Sequence, residues 1–260
     1  MASLRELTED EIAMIPDYRK FWYDVAFSTA QLERDRVQEA IQRIYTILGL
    51  KTPKIHFFDS LYSLVKESQN LFKETGFGED GFVFSTRVMA QIHTLQMSFF
   101  ESIGHWDVAL TSKFCALDGD IFELQISEHL YQKFLKNLPD RFKEIYTFWV
   151  FPRVWYAYEA SPVDFHFSAV RKQILFEVPD YESWNAYRQL IQSCSWFIAF
   201  ESDCFMCERP IAFSFKIKSK LPSSIRFANG DELVLQNSNR FCENNTLTIT
   251  EKDIDENLNG

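Results

Sequence analysis

Glycine, proline, cysteine and positive charge are all scarce in this chain, and each shortage excludes a class of protein. The 260 residues include eight glycines and eight prolines, too few for a low-complexity or collagen-like chain. Five cysteines at irregular spacings do not form a disulfide framework and suit a reducing compartment. The composition therefore predicts an ordinary globular protein.

Basic residues are outnumbered, and the formal net charge is −10. This charge opposes nucleic-acid binding, which depends largely on Lys and Arg displacing counterions. No run of eighteen apolar residues occurs, and the N-terminal MASLRELTEDEIAMIP lacks the basic flank of a signal peptide. We predict a cytoplasmic protein with no membrane span and no nucleic-acid partner. The sequence carries no indication of the oligomeric state.

The common motifs of catalysis and cofactor binding are missing as well. There is no GxSxG, P-loop or GxGxxG, and five single histidines form neither HxxxH nor HExxH: His56, His93, His105, His129 and His166. Cys204 and Cys207 have the spacing of two zinc ligands or a redox pair, but no second pair follows. Buried structural cysteines are the favoured interpretation, and no metal or cofactor is predicted.

Helical signals dominate the chain up to residue 195. Thr8 and Glu11 form a capping box that begins one helix, and Pro16 predicts the start of a second. Further helices are predicted over 35–48, from 61, and over 83–103, 120–137 and 180–194, with a loop at 76–82. Lys54–Phe58 has the pattern of a strand, and beyond Trp196 the pattern alternates, with a hairpin at Asn229-Gly230.

These elements predict an α+β fold. Residues 1–237 form a single globular domain that is helical over 1–195 and has a small antiparallel sheet over 196–237. Residues 238–260 are rich in Asn, Asp, Glu and Thr and are expected to be a weakly ordered polar tail.

Ten aromatic side chains crowd residues 142–167, either as the centre of the core or as the wall of a binding site. Pro152 and Pro162 predict a helix to about Phe148 followed by irregular or extended chain. On an extended segment Asp164 and His166 share one side, a spacing that suits an iron site or an oriented general base, or else a hydrogen-bonded loop pair. Arg153 needs either solvent, a carboxylate partner or a ligand.

Four blocks of this sequence resemble one uncharacterised domain family of cyanobacterial and actinobacterial proteins, sometimes found beside leucine-rich repeats. In chain order they are LTEDEIAMIP through to HFFDS (7–60), WVFPRVWYAYEASPVDF (149–165), SWFIAFESDCFMCERPIAFSF (195–215) and PSSIRFANGDEL (222–233).

The resemblance spans 7–235 and is weaker across 76–140. It implies a shared fold and a bacterial origin, but transfers no catalytic residue. The family's His-rich turn of the type LHxExGPA is replaced in this chain by KSKLPSSIRF. The resemblance also implies one pocket bounded by the matching positions Asp59, Trp155, Tyr156, Tyr158, Asp164, Cys207, Arg209 and Pro210.

The preferred function is a cytosolic binding or interaction protein that holds a peptide, protein or small organic ligand against residues 151–167. Its ligand-binding residues would be Arg153, Trp155, Tyr156, Tyr158, Asp59 and Arg209. The alternative is an enzyme of specialised metabolism or hydrolysis, with Asp164 and His166 as acid/base groups and Arg153 or Arg209 as the anion anchor.

Overall fold

The computed structural model describes residues 7–74, 79–102, 126, 153–165, 167–168, 181–215 and 222–235. Its helices are α1 (Glu9–Ala26), α2 (Arg34–Ile47), α3 (Leu61–Glu74), α4 (Glu79–Ser102), α5 (Arg153–Phe165) and α6 (Tyr181–Ser193). Its strands are β1 (Lys54–Phe58), β2 (Phe197–Ala199), β3 (Asp203–Cys207), β4 (Ala212–Phe215), β5 (Pro222–Arg226) and β6 (Glu232–Val234). The predicted α+β class, dominated by helices, is confirmed.

The strands form two small sheets rather than the single C-terminal sheet that the sequence predicts. In the first, β3 lies between β1 and β2, parallel to β1 with Lys54 opposite Asp203, and antiparallel to β2. In the second, β4, β5 and β6 are antiparallel neighbours, with Ile225 opposite Leu233. The first sheet is not predicted because β1, a short apolar strand, pairs with a strand that lies far along the chain. That pairing supplies the hydrogen bonds that the β1 backbone needs.

The predicted hairpin at Asn229-Gly230 is confirmed, because it joins β5 to β6. Gly230 has a φ of 89°, a conformation that glycine adopts without steric cost. The turn also contacts the start of α3. Ser60 accepts hydrogen bonds from the Ser63 backbone N–H at 3.2 Å and from Asn229 Nδ2 at 3.3 Å, and it donates to Asp231 Oδ2. The second sheet is therefore tied to the N-terminus of α3.

The first helix begins as predicted, with the Thr8 side chain bonded to the Glu11 backbone and the Glu11 side chain to the Thr8 backbone. The predicted break at Pro16 is wrong, since α1 runs through it. A proline inside a helix costs ~3 kcal/mol. We attribute the continuity to the burial of Trp22 and Ala26, which lie C-terminal to Pro16 and are fully buried.

Helix α2 confirms the amphipathic pattern in detail. Its buried residues are Val37, Ala40, Ile41, Ile44 and Tyr45. The helix ends in a Schellman motif, in which the backbone N–H of Leu50 donates to the carbonyl of Tyr45 at 2.8 Å, and Gly49 takes a φ of 70°.

Two further predictions require correction. Residues 79–82, expected in a loop, begin α4; residues 76–78 of that loop lie outside the described part of the chain. Residues 153–165, expected to be irregular or extended, form α5 with Pro162 inside it. The buried Ala157, Ala160 and Val163 recur at helical spacing where α5 packs along α1, and this shared apolar face explains the helix. The predicted helix 120–137 is described only at Ile126.

Helices cover the first sheet and supply most of the core. α2 packs along α6, while α3 contacts β1 and β3, and α4 contacts β2. An aromatic cluster joins α4 to α6: the Phe99 and Trp184 rings lie 5.3 Å apart edge to face, and Phe167 stacks on Trp184 at 5.5 Å. Many of the aromatic side chains in the described residues therefore lie in the core. None of the described helices is long and apolar enough to cross a membrane.

Candidate functional site

Asp164, predicted as an acid/base residue, lies on α5 with its carboxylate enclosed by α1 and α6. The Trp22 indole N–H donates to Oδ2 at 3.2 Å, and Arg188 Nε lies 2.9 Å from Oδ1. Ser168 Oγ donates to Oδ1 at 3.3 Å. The Asp164 side chain is only 2% exposed, whereas that of Arg188 is 36% exposed. The ion pair joins α5 to α6, the Trp22 hydrogen bond adds α1, and the site is open to water from the arginine side.

Burial raises the pKa of the Asp164 carboxyl, while the Arg188 charge and the hydrogen bonds from Trp22, Ser168 and Arg188 lower it. Burial prevails, and the pKa is above its ordinary value. Because both carboxylate oxygens already accept hydrogen bonds or ion pairs, this arrangement suits a structural crosslink better than proton transfer to a substrate.

The structure describes only part of the other predicted site residues in 151–167. Arg153, Trp155, Tyr156 and Tyr158 lie on α5, and their side chains fall outside the described part of the structure, as does the whole of His166. The extended geometry that put Asp164 and His166 on one side is wrong for Asp164, since a helix turns by about 100° per residue. Their pairing stays a prediction.

Arg209 and Asp59 are brought to one edge of the first sheet. Asp59 directly follows β1 and Arg209 lies two residues beyond β3, and these strands are parallel. The Arg209 guanidinium donates to the carbonyl of Gln192 at 2.5 Å and to that of Ala30 at 3.3 Å. Burial lowers the pKa of Arg209, against nearby Cys194, Glu33 and Glu208. In this geometry Arg209 clamps the α1–α2 connection to the last turn of α6.

The Asp164 and Arg209 contacts lie one turn apart on α6, because Arg188 and Gln192 are four residues apart. Two of the predicted site residues, Asp164 and Arg209, therefore contact the same helix, α6. Asp59, which is exposed, lies beyond the C-terminal end of β1 and takes no part in these contacts.

Cys204 and Cys207 both lie in β3, and both are buried and outside any disulfide. Residues three apart in a strand point to opposite faces, so the pair does not present two ligands to one ion. Burial also raises the pKa of the Cys204 thiol. Within the described ranges no group of three or more His, Cys, Asp or Glu side chains is placed to hold a metal ion.

The acid/base pair that sequence reasoning missed is His56 with Asp203. His56 Nε2 lies 2.8 Å from Asp203 Oδ1, and the two side chains are 30% and 29% exposed. Ser202 Oγ donates to the other carboxylate oxygen at 2.7 Å. The His56 ring packs edge to face on Phe205 at 5.1 Å. The pair joins residues 147 positions apart, and no local signal identifies such a pairing.

Burial raises the pKa of Asp203, but hydrogen bonds from Ser202 and His56 and the charges of His56 and Lys54 outweigh it and hold the pKa below its ordinary value. Asp203 is therefore an ionised acceptor at neutral pH. An ionised carboxylate only accepts hydrogen bonds, so Nε2 of His56 carries the proton.

A cluster of aromatic side chains lies where α1 ends beside the second sheet. We call Tyr23, Phe27, Phe213 and Phe215 the aromatic rim. The Phe27 ring centroid lies 4.8 Å from that of Tyr23, 5.3 Å from that of Phe213 and 6.0 Å from that of Phe215. Phe215 is 44% exposed, and Ile211, just before β4, is 51% exposed.

The fold and these contacts define a helix-dominated α+β protein with two small sheets. Comparison of the chain with protein-family models, with curated proteins and with solved structures finds no match. The family resemblance therefore stays a prediction, and no residue role is taken from it.

Proposed function

We propose that this chain is a cytoplasmic binding protein that holds an extended peptide with apolar side chains along β4 and the aromatic rim. The observation that carries the proposal is the exposed Phe215 beside Phe27 at the edge of the second sheet. Aromatic side chains give large contact area at low entropic cost, and they are enriched where partners bind.

The position of β4 supports an extended partner. Among the described strands, β4 pairs with β5 alone and stands at one edge of its sheet. Such an edge can bind an added strand through main-chain hydrogen bonds, while side-chain contacts supply specificity. Phe213 and Phe215 both contact Phe27, so an added strand at this edge would lie alongside the rim.

The charge of the chain adds a second criterion for the partner. The formal net charge is −10, and complementary charge speeds association and selects partners. We therefore expect basic peptides with large apolar residues at alternate positions. Nucleic acid is not expected to bind, for the same electrostatic reason.

A random peptide library displayed on phage, selected on the immobilised full chain, tests the proposal. We expect the selected peptides to bind in solution, as measured by fluorescence polarisation, and Phe215→Ser to weaken the Kd by at least ~30-fold, the effect of a hot-spot residue. Val234→Ser is the matched control, since Val234 is 57% exposed on β6 at the other edge of the same sheet.

The control should leave the Kd within about twofold, the scatter expected outside a hot spot. Peptides that bind wild type and Phe215→Ser equally, or a library from which nothing binds, would show that the rim is not a peptide site.

A further inference from the structure

We propose that His56, held by Asp203, is the general base of a catalytic site distinct from the aromatic rim, activating water against the carbonyl carbon of a small ester. The proposal rests on the geometry of the pair and on the cation beside it. It is independent of peptide binding at the rim.

The orientation of the imidazole is fixed from two sides. Asp203 Oδ1 accepts from His56 Nε2 at 2.8 Å, and Ser202 holds the other carboxylate oxygen at 2.7 Å. The Phe205 ring, 5.1 Å away and 80° to the imidazole plane, packs against the same ring. A histidine that is oriented by a carboxylate, with its tautomer set, is the base half of a hydrolytic site.

The reacting nitrogen is then Nδ1, which carries the lone pair when Nε2 is protonated. Among the described residues, none hydrogen-bonds Nδ1. The His56 side chain is 30% exposed, so water reaches this part of the sheet.

Lys54 indicates the class of substrate. It lies opposite Asp203 in the β1–β3 register, and its charge is one of the influences that keep Asp203 ionised. A cation next to a general base stabilises negative charge that develops on a carbonyl oxygen. Hydrolysis of an ester develops this charge, whereas a simple proton shuttle does not.

The step balances without any further reactant. Nδ1 takes a proton from water as the water oxygen bonds to the carbonyl carbon, and the carbonyl π electrons move to its oxygen. When the tetrahedral intermediate collapses, the bond from carbon to the leaving oxygen breaks, and the Nδ1 proton passes to that oxygen. The products are an acid and an alcohol, and His56 is neutral again.

Hydrolysis of p-nitrophenyl acetate by the full chain tests the site. We expect His56→Gln to lower kcat/KM by at least ~100-fold, the low end of what general bases contribute. His93→Gln is the matched control: His93 is an exposed histidine whose Nδ1 lies 3.3 Å from Gln96 Oε1, and no carboxylate of the described residues forms an ion pair with it. It should leave the rate unchanged.

The Asp203→Asn variant tests whether Asp203 positions the His56 ring, separately from any effect of Asp203 on folding. If Asp203 sets the tautomer, long-range ¹H–¹⁵N spectra should show His56 protonated on Nε2 in the wild type and a mixture of tautomers in the variant, with a lowered rate. Both variants are compared at equal folded fraction by circular dichroism.

Two results would overturn the proposal. One is a His56→Gln rate equal to that of wild type or of His93→Gln. The other is a wild-type spectrum in which the neutral ring carries its proton on Nδ1.

Discussion

Replacing Arg188 by Met should destabilise the protein because it leaves the Asp164 carboxylate buried without its cation. Removing one partner of a buried ion pair costs about 3–5 kcal/mol. The Arg188 side chain is 36% exposed, so solvent screens part of this interaction, and we expect ~2–3 kcal/mol. At ~2–4 °C per kcal/mol for a chain of this size, Tm should fall by roughly 4–12 °C.

The loss should depend on pH. Burial already raises the pKa of Asp164, and without the Arg188 charge the folded-state pKa rises further while the unfolded value stays ordinary. When the pKa of a carboxyl is higher in the folded state than in the unfolded state, its protonation stabilises the folded state. This stabilisation is complete below the pKa of the unfolded state and is lost as the pH rises through the pKa of the folded state. The deficit of Arg188→Met should therefore be larger at about pH 8 than at about pH 5.

Urea unfolding followed by tryptophan fluorescence measures both effects, since Trp22 contacts Asp164 directly. Arg36→Met is the matched control, because the Arg36–Glu33 pair is 67% and 65% exposed and should contribute no more than ~0.5 kcal/mol. The reasoning is refuted if the two variants lose equal stability, or if the Arg188→Met deficit is the same at both pH values.

Two other substitutions test the fold at single points. Arg209→Lys should lower the free energy of unfolding in urea by ~1–3 kcal/mol, because a lysine cannot reach both the Gln192 and Ala30 carbonyls. Arg43→Lys is the control: it changes an exposed contact to Gln189 and should be nearly neutral. Gly230→Ala should cost ~1 kcal/mol through its φ of 89° alone, since in the described part of the chain no atom beyond its sequence neighbours lies within 4 Å of the added Cβ. A Tm equal to wild type would contradict this.

Local signals account for the parts of the fold that the sequence predicts well. The capping box at Thr8, the apolar stripe of α2 and the Asn229-Gly230 turn each depend on residues within a few positions of one another. Burial then agrees with the local preference, so the pattern and the structure coincide.

Pro16 and the β1–β3 pair show where local reasoning fails. A proline lowers the helix preference at its own position, and the burial of Trp22 and Ala26 together with the packing of α1 on α5 overrides it. The same holds for the first sheet, whose central pairing joins Lys54 to Asp203. Periodicity indicates that both segments are strands but carries no information on which strand each one meets.

Candidate functional sites are harder to predict from the sequence than helices and strands. Sequence reasoning identifies Asp164 as an acid/base candidate and Arg209 as an anion-anchor candidate. It does not supply Arg188, Trp22 and Gln192, the groups that hold them. In the sequence His56 is a single histidine, because its carboxylate lies on another strand.

The parallel pairing of β1 with β3 also orders events during synthesis. β1 leaves the ribosome long before β3, and at ~5–20 residues per second the interval is roughly 7–30 s. Throughout it, a strand of sequence KIHFF has no β3 beside it. A chain stalled before Asp203 would expose this apolar segment, so a chaperone that binds short hydrophobic stretches should bind such nascent chains at β1 and release them once β3 is made.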